Sequence, residues 1–454
     1  MKTKVVLLGI VAVLLLAIVG GAIWWFMRPQ VIVFSDDAKL TLLAVEYGKK
    51  HVPPNVKASA PAAASGRPAG RNRPSTFTSS NDTLVVWVKQ EYPNDQNSYH
   101  SFQYYAYDNA GTACVANYTT HSGNGGGRRN GEIVGVEFSA FPRRQGSFQI
   151  GVQENSNNGQ ELAEKKFKVH NPAHETAANW TPQPTPVTKT DDDLSVTLTK
   201  LVAGAAMPYT RNNDNPDDPI NKGVQATFHV ERNGQAVSNW QPVAVQTFDA
   251  TGNHITGWVS QNWADQNSLP NGWANGDGTL TYQYGLWPGE PAWRVRLEFS
   301  QQSNYADDEV WNIFNIPSQP AKQQDMWNNR GMKTNAPFAE RDVNGFNIKV
   351  YPVKQFTDNN NNGYMEGGLF VQVNPDVKEG TRMTIKITDD QTNVIQYNDY
   401  GTWQNNNMVI HRYALRDVAS LTNFNVSIAL HKSRFVEFTI KPETAPASAA
   451  ENQQ

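Results

Sequence analysis

Over most of its length the chain alternates apolar and polar residues with a period of two. In the stretch WRVRLEF, for example, Val295, Leu297 and Phe299 alternate with Arg294, Arg296 and Glu298. Successive side chains of a β-strand leave opposite faces of the sheet, so this pattern is typical of an antiparallel strand with one buried face. The runs are short and end at Gly, Asn, Asp or Pro, which are turn residues. The sequence therefore predicts an all-β fold after residue 28.

The β pattern also repeats. Each of three copies contains an opening strand, a hairpin turn that starts with Asp, a penultimate strand that starts on a large aromatic residue, and a last strand that ends at proline. The three turns begin at Asp108, Asp249 and Asp389. Because the landmarks keep the same order three times, we interpret the chain as three tandem repeats. Each copy is then expected to own its last strand, which reads Phe-x-(Val/Ile): Phe167–Val169, Phe314–Ile316 and Phe438–Ile440.

The repeats predict three domains, at 30–172, 190–318 and 340–443. The first carries an insert at 52–76, predicted to be disordered because it has few apolar residues, and a disordered tail is predicted at 444–454. Each copy has roughly seven short strands divided by regular turn signals, as a two-sheet sandwich requires. At the level of fold the pattern resembles immunoglobulin-like or fibronectin type III-like sandwiches, although the Cys–Trp–Cys spacing of true immunoglobulin domains is absent.

Before the β pattern, Val5–Met27 is a run of 23 residues without a charge. As a helix it would extend about 34 Å, enough to cross a bilayer. Lys2 and Lys4 precede it, so the positive-inside rule predicts that the N-terminus is cytoplasmic. Residues 1–28 would then comprise this cytoplasmic N-terminus and the transmembrane anchor. A signal peptide cleaved after Ala22 is the alternative. The apolar run continues past that point, which favours an uncleaved single-pass anchor in the cell membrane with the bulk of the chain outside the cytoplasm.

Composition limits the partners and the stabilising bonds of the chain. The formal net charge is −3, which predicts no general affinity for nucleic acid. Cys114 is the one cysteine, so no intrachain disulfide can form and apolar cores must stabilise the fold. The partners we expect are the lipid bilayer, through residues 5–27, and an envelope protein or a glycan.

Tryptophan in the second repeat suggests a ligand site. Trp258, Trp263 and Trp273 lie in GWVSQNWADQNSLPNGWANGDG, among Asn, Asp and Gly. Indole rings can stack on the C–H faces of sugars while amides bond the hydroxyls, so this stretch is a candidate glycan platform. The alternative is that the three indoles cap the open end of the sandwich, because burying an indole stabilises a core by several kcal/mol.

A second candidate site lies in the third repeat, in DNNNNGYMEG. Asp358, Asn360 and Asn362 alternate and are followed by glycine, like the first half of a calcium loop. The acid expected at the twelfth position is replaced by Leu369, so Glu366 would have to complete the site with different geometry. Calcium is the one cofactor that the sequence suggests. The competing interpretation is a polar turn, since Asn tolerates positive φ.

No catalytic motif appears in the sequence: there is no Gly-x-Ser-x-Gly elbow, no His-Glu-x-x-His, no Walker loop and no Rossmann fingerprint. We therefore expect a membrane-anchored, extracytoplasmic protein that acts in binding or scaffolding at the cell envelope. The alternative is a carbohydrate-active enzyme, or an accessory subunit of one, with acidic residues on sandwich loops, because glycoside hydrolysis needs only two opposed carboxyl groups.

Overall fold

The computed structural model describes residues 30–34, 38–54, 77–91, 101–121, 132–155, 161–207, 221–259, 275–283, 285–322, 336–356, 366–377, 380–405 and 408–445. These ranges fold into 28 β-strands and contain no α-helix, which confirms the predicted all-β fold. Within the same ranges no helix is long and apolar enough to cross a membrane. The predicted anchor Val5–Met27 lies outside them, as does most of the insert at 52–76.

The first unit has two sheets that face each other across a core, consistent with a β-sandwich. The five-stranded sheet has the order β1-β2-β3-β7-β6 and the four-stranded sheet the order β5-β4-β8-β9. The strands are β1 (Val31–Val33), β2 (Lys39–His51), β3 (Phe77–Glu91), β4 (Ser101–Tyr107), β5 (Ala113–Val115), β6 (Tyr118–His121), β7 (Glu132–Phe138), β8 (Ser147–Asn155) and β9 (Glu161–His170).

The second unit is one ten-stranded sheet, in which the start of β15 pairs with β14 and its end pairs with β16, so that β15 joins the two halves of the sheet. Its main path runs β10-β11-β12-β16-β15-β14-β17-β27. The strands up to β17 are β10 (Val187–Asp191), β11 (Leu194–Ala206), β12 (Lys222–Arg232), β13 (Gln235–Ala236), β14 (Trp240–Asp249), β15 (His254–Val259), β16 (Asp277–Gln283) and β17 (Trp293–Gln301). The remaining two, β27 (Arg434–Ile440) and β28 (Glu443–Thr444), come from the end of the chain.

The third unit is a nine-stranded sheet whose main path runs β19-β20-β22-β21-β18-β26-β23, with β25 on β22 and β24 on β25. Its strands are β18 (Val310–Ala321), β19 (Ala339–Val343), β20 (Phe346–Val350), β21 (Val353–Phe356), β22 (Gly367–Asn374), β23 (Thr381–Asp389), β24 (Tyr397–Asn405), β25 (Met408–Leu415) and β26 (Asn423–Lys432). The start of β18 pairs with β26 and its end pairs with β21, so this strand joins the two halves of the sheet.

The last strands of the second and third repeats are exchanged, which corrects the sequence-based expectation. The strand Phe438–Ile440, expected to close the third repeat, belongs to β27 and pairs antiparallel with β17 of the second unit. The strand Phe314–Ile316, expected to close the second repeat, belongs to β18 and pairs antiparallel with β26 of the third unit. The two long segments β17–β18 and β26–β27 therefore run past each other in opposite directions across both units.

Chain geometry explains why β27 does not return along β26. Only Ser433 separates the two strands, whereas the common tight hairpin connections need at least two residues. The chain therefore continues in the same direction and enters the second unit. The core confirms this placement, because Val436 and Phe438 pack in the apolar cluster of the second unit while Ile313 and Ile316 pack in that of the third.

Two further features hold the second unit in place against the rest of the chain. The buried apolar residues of the first and second units form one continuous cluster. In addition, β28 pairs in parallel with β11, placing Glu443 opposite Val202 and Thr444 opposite Ala203. The sequence predicts that Thr444 belongs to the disordered tail, but this residue lies in a strand; the tail beyond residue 445 is outside the described residues.

Candidate functional site

Most of the site residues predicted from sequence fall outside the part of the chain that the structure describes. Trp263 and Trp273 lie in the gap between residues 259 and 275, and for Trp258 only the backbone is described, in β15 opposite Gln283. The glycan platform formed by these indoles stays a prediction.

Of the predicted calcium ligands, Glu366 alone is described; Asp358, Asn360 and Asn362 lie outside the described ranges. One carboxylate oxygen of Glu366 accepts hydrogen bonds from the backbone N–H groups of Val418, at 2.8 Å, and Ala419, at 3.0 Å. Glu366 thus holds a neighbouring turn. Within the described ranges no three His, Cys, Asp or Glu side chains are grouped as metal ligands would be.

The three turn aspartates share one geometry. In each, carboxylate Oδ1 accepts a hydrogen bond from the backbone N–H two residues later and another from the N–H four residues later. The acceptors are Asp108, Asp249 and Asp389, and the donors are Ala110 and Thr112, Thr251 and Asn253, and Gln391 and Asn393. The Asp that opens the hairpin turn of each repeat therefore has a structural role, in which its carboxylate closes the turn.

The second of these turns is inserted into the first unit, where it meets Arg143. The Arg143 side chain is buried, with 5% of its surface exposed. Its Nε donates to Asn253 Oδ1 at 3.0 Å, and one terminal nitrogen donates to the Tyr47 hydroxyl at 2.9 Å and to the Thr251 carbonyl at 3.0 Å. Asn253 in turn donates to the Phe141 carbonyl at 2.9 Å. The bonds to Asn253 and Thr251 and the bond from Asn253 to Phe141 join the first unit to the second, while the bond to Tyr47 holds Arg143 within the first unit, so this cluster is a structural joint.

The segment between the first and second units is also held in place. Gln183 donates its backbone N–H to the Thr439 carbonyl of β27 at 2.7 Å. The Arg294 guanidinium lies over the Trp180 ring, 4.5 Å from its centroid. At the joint itself, Trp287 Nε1 donates to the Thr112 carbonyl of the first hairpin at 2.9 Å. The proline-rich linker is thus held against the second unit at Trp180 and Gln183.

A cleft of about 410 Å³ lies between the second and third units. Ligand pockets commonly enclose about 300–1,000 Å³, so the cleft is large enough for a small ligand. On the second unit its wall is the outer face of the sheet β15-β14-β17-β27. Gln246 lies opposite Thr256 on one side and opposite Arg296 on the other, so these three polar side chains form a row across the strands.

The base of the cleft is an ion pair between the two units. Glu298 of β17 is 4% exposed, and both of its carboxylate oxygens accept hydrogen bonds from Arg382 of β23, one of them at 2.7 Å. Ser433, the residue between β26 and β27, donates its hydroxyl to the same carboxylate at 2.6 Å. The bidentate pairing of Arg382 with Glu298 fixes the orientation of both side chains, and it therefore holds the two walls at a set separation.

The wall on the third unit carries acids and two aromatic rings. Asp376, Asp399, His411 and Tyr413 line it. The His411 and Tyr413 rings are parallel, with 6.4 Å between centroids and 9° between planes. Burial lowers the pKa of His411, although the charges of Asp399 and Asp376 act in the opposite direction. Burial also raises the pKa of Tyr413. At neutral pH both rings are therefore uncharged.

Apart from the Glu298–Arg382 pair, the cleft has the donors of Gln246 and Arg296 on one wall and the carboxylates of Asp376 and Asp399 on the other. The sequence did not single it out, because its walls come from strands far apart in the chain. One signal was present: in WRVRLEF, the polar residues Arg296 and Glu298 point away from the core, and it is this outer face that lines the cleft.

The fold and the cleft together define an all-β, multi-sheet protein with a polar cleft between two of its units. No protein-family model matches the chain, and no curated protein matches it.

Proposed function

We propose that the chain is a membrane-anchored, extracytoplasmic scaffold that binds a protein or glycan of the cell envelope. The anchor is Val5–Met27, and the three units are tandem sandwiches of the immunoglobulin-like or fibronectin III-like kind. The observation that supports this proposal best is the exchange of β18 and β27 between the second and third units. A scaffold has to hold its binding surfaces at fixed positions, and exchanged strands prevent the two units from separating without unfolding.

The joint between the first and second units supports the same role. Arg143 is buried, and its guanidinium forms hydrogen bonds with residues of both units. Bending this joint would therefore expose the buried charge or leave it without its partners. Tandem domains on flexible linkers lack such contacts and move independently by default. A joint braced in this way suits a spacer that presents one surface at a defined distance from the membrane.

The test of the anchored, outward topology uses the full chain with a C-terminal epitope in intact cells. We expect the epitope to be membrane-associated and to be removed by protease added outside the cytoplasmic membrane. A variant that lacks residues 1–28 is the control, and it should leave the membrane fraction. An epitope protected until the membrane is lysed would overturn the topology.

Partner binding is tested separately, by cross-linking on the same cells followed by recovery of the tagged chain. We expect a specific envelope protein or glycan polymer to be cross-linked to the chain. Recovery of the chain without any cross-linked partner would count against the proposal. Repeating the recovery with a calcium chelator tests whether the Asp358 loop takes part.

A further inference from the structure

We propose that the cleft between the second and third units binds a short neutral glycan. This inference deepens the proposed function, on which it rests, by assigning the ligand class and the site. It differs from the tryptophan platform expected from sequence, because it places the sugar against Gln246, Arg296, Asp376 and Asp399.

The charges of the walls select against a strongly charged ligand. Arg296 lies on one wall, and the carboxylates of Asp376 and Asp399 lie on the other. A polyanion would approach the two carboxylates, and a polycation would approach Arg296, each at an electrostatic cost. A neutral ligand avoids both costs, provided that it can hydrogen-bond to both walls.

Sugar hydroxyls meet that requirement, because each hydroxyl both donates and accepts. The Gln246 amide and the Arg296 guanidinium supply donors, and Thr256 adds a hydroxyl to the same row of cross-strand neighbours. Carboxylates accept only, so Asp376 and Asp399 can take the hydrogens of the same ligand. The two walls thus supply both donors and acceptors to the hydroxyls of one ligand.

The cleft also provides surface for the less polar face of a sugar. Val377 and Met383 line it, and the parallel rings of His411 and Tyr413 form its aromatic part. Arg296 Cζ lies over the ring of Phe435, 4.5 Å from the centroid, so a cation–π contact holds this side chain in the wall.

The walls are set before any ligand arrives. The exchanged strands and the Glu298–Arg382 pair fix the second unit against the third, and Ser433 completes that brace. Binding therefore incurs no cost for closing two domains around the ligand.

The experiment measures binding of the full chain in detergent to maltotriose, cellotriose and triacetylchitotriose, with trigalacturonate and a pool of charged peptides as the other arms. We expect a neutral trisaccharide to bind, and the variants Arg296→Met and Asp399→Asn to weaken that binding by about tenfold or more, the loss of one hydrogen bond to a charged group. The matched control is Arg294→Met, on the same strand but in an ion pair with Glu437 and over the ring of Trp180; it should change binding by less than about twofold.

Binding confined to trigalacturonate or to peptides would overturn the inference, as would neutral-sugar binding that Arg296→Met and Asp399→Asn leave unchanged. Release of shorter sugars during the incubation would overturn the binding role in favour of hydrolysis. If no sugar binds while the cross-linked envelope partner persists in cells, the cleft assignment fails and the scaffold stands. If sugars bind but the epitope stays protected from outside protease, the proposed location fails and the cleft assignment stands.

Discussion

Leu297 of β17 lies opposite Val436 of β27, although the whole third unit separates them in sequence. Both side chains are buried, at 0% and 3% exposure, in the core of the second unit. The second unit is consequently complete only when the end of the chain has been added. Its stability should respond to residues that sequence position alone would assign to the third repeat.

Phe438→Ala should destabilise the second unit. Phe438 is 0% exposed and packs in the core shared with the first unit, so its truncation should lower the free energy of unfolding by about 3–5 kcal/mol. Denaturant unfolding followed by domain-resolved hydrogen exchange measures both the size and the place of the loss. Thr439→Ala, on the opposite face of the same strand, is the control and should cost under about 1 kcal/mol. Protection lost in β26 and β23 instead of β14 and β17 would argue against the exchange.

Arg143→Lys should loosen the joint between the first and second units. Lysine keeps the charge but lacks the planar fork, so the Asn253 amide, the Tyr47 hydroxyl and the Thr251 carbonyl cannot all keep their partner. We expect a loss of about 2–4 kcal/mol and faster proteolysis at the joint. Arg341→Lys, at an exposed position on β19, is the matched control and should be neutral. Equal stability of the two variants would mean that Arg143 does not hold the joint.

Arg382→Met should weaken the contact between the second and third units. It leaves the Glu298 carboxylate buried with only Ser433 as a partner among the contacts described above, and should cost about 1.5–3 kcal/mol. Adding Glu298→Met removes the buried carboxylate that has lost Arg382, and it should recover part of the lost free energy of unfolding. Lys386→Met, an exposed change on the same strand, controls for charge alone. A double variant that is less stable than the single one would contradict this account.

Acidification should destabilise the folded chain below about pH 6.5. Burial lowers the pKa of His411 from 6.5, so near that pH the unfolded chain takes up a proton that the folded chain does not. The stabilising contribution is present above pH 6.5 and is lost as the pH falls toward the lower, folded pKa. Burial lowers the pKa of His254 and His431 as well, so His411→Asn should reduce the slope without abolishing it.

The control for this prediction is His229→Asn. Asp277 raises the pKa of His229, so its contribution has the opposite sign: it is present below pH 6.5 and is lost as the pH rises through the folded pKa. Denaturation midpoints at pH 7.5, 6.5 and 5.5 compare the variants. An unchanged slope in His411→Asn would show that its imidazole is not protected from protonation.

Local patterns were readable from the sequence. Alternation in Trp293–Phe299 predicts a strand with one buried face, and the structure buries Val295, Leu297 and Phe299. The Asp249 turn was recognised from its place in the repeat, and its side chain does cap the hairpin. Such features depend on residues within a few positions of each other, which is why one sequence is enough to find them.

Long-range pairing was not readable in the same way. Phe314–Ile316 and Phe438–Ile440 share one pattern and fit either sheet, so alternation cannot decide which partner each strand takes. The burial of Arg143 could not be predicted from the sequence either, because its partner Asn253 belongs to another unit. The cleft was missed for the same reason: Arg296 and Asp399 become neighbours of one cavity only through the exchange.

The most direct test of the exchanged architecture is hydrogen exchange on the full chain and on a chain that ends at Ser433. Loss of β27 and β28 should remove protection from the amides of β17 and β11 while β23 and β26 of the third unit stay protected, since β18 still completes that sheet. The opposite pattern, with β17 protected and β26 exposed, would contradict the exchange of strands on which the proposed scaffold and its cleft depend.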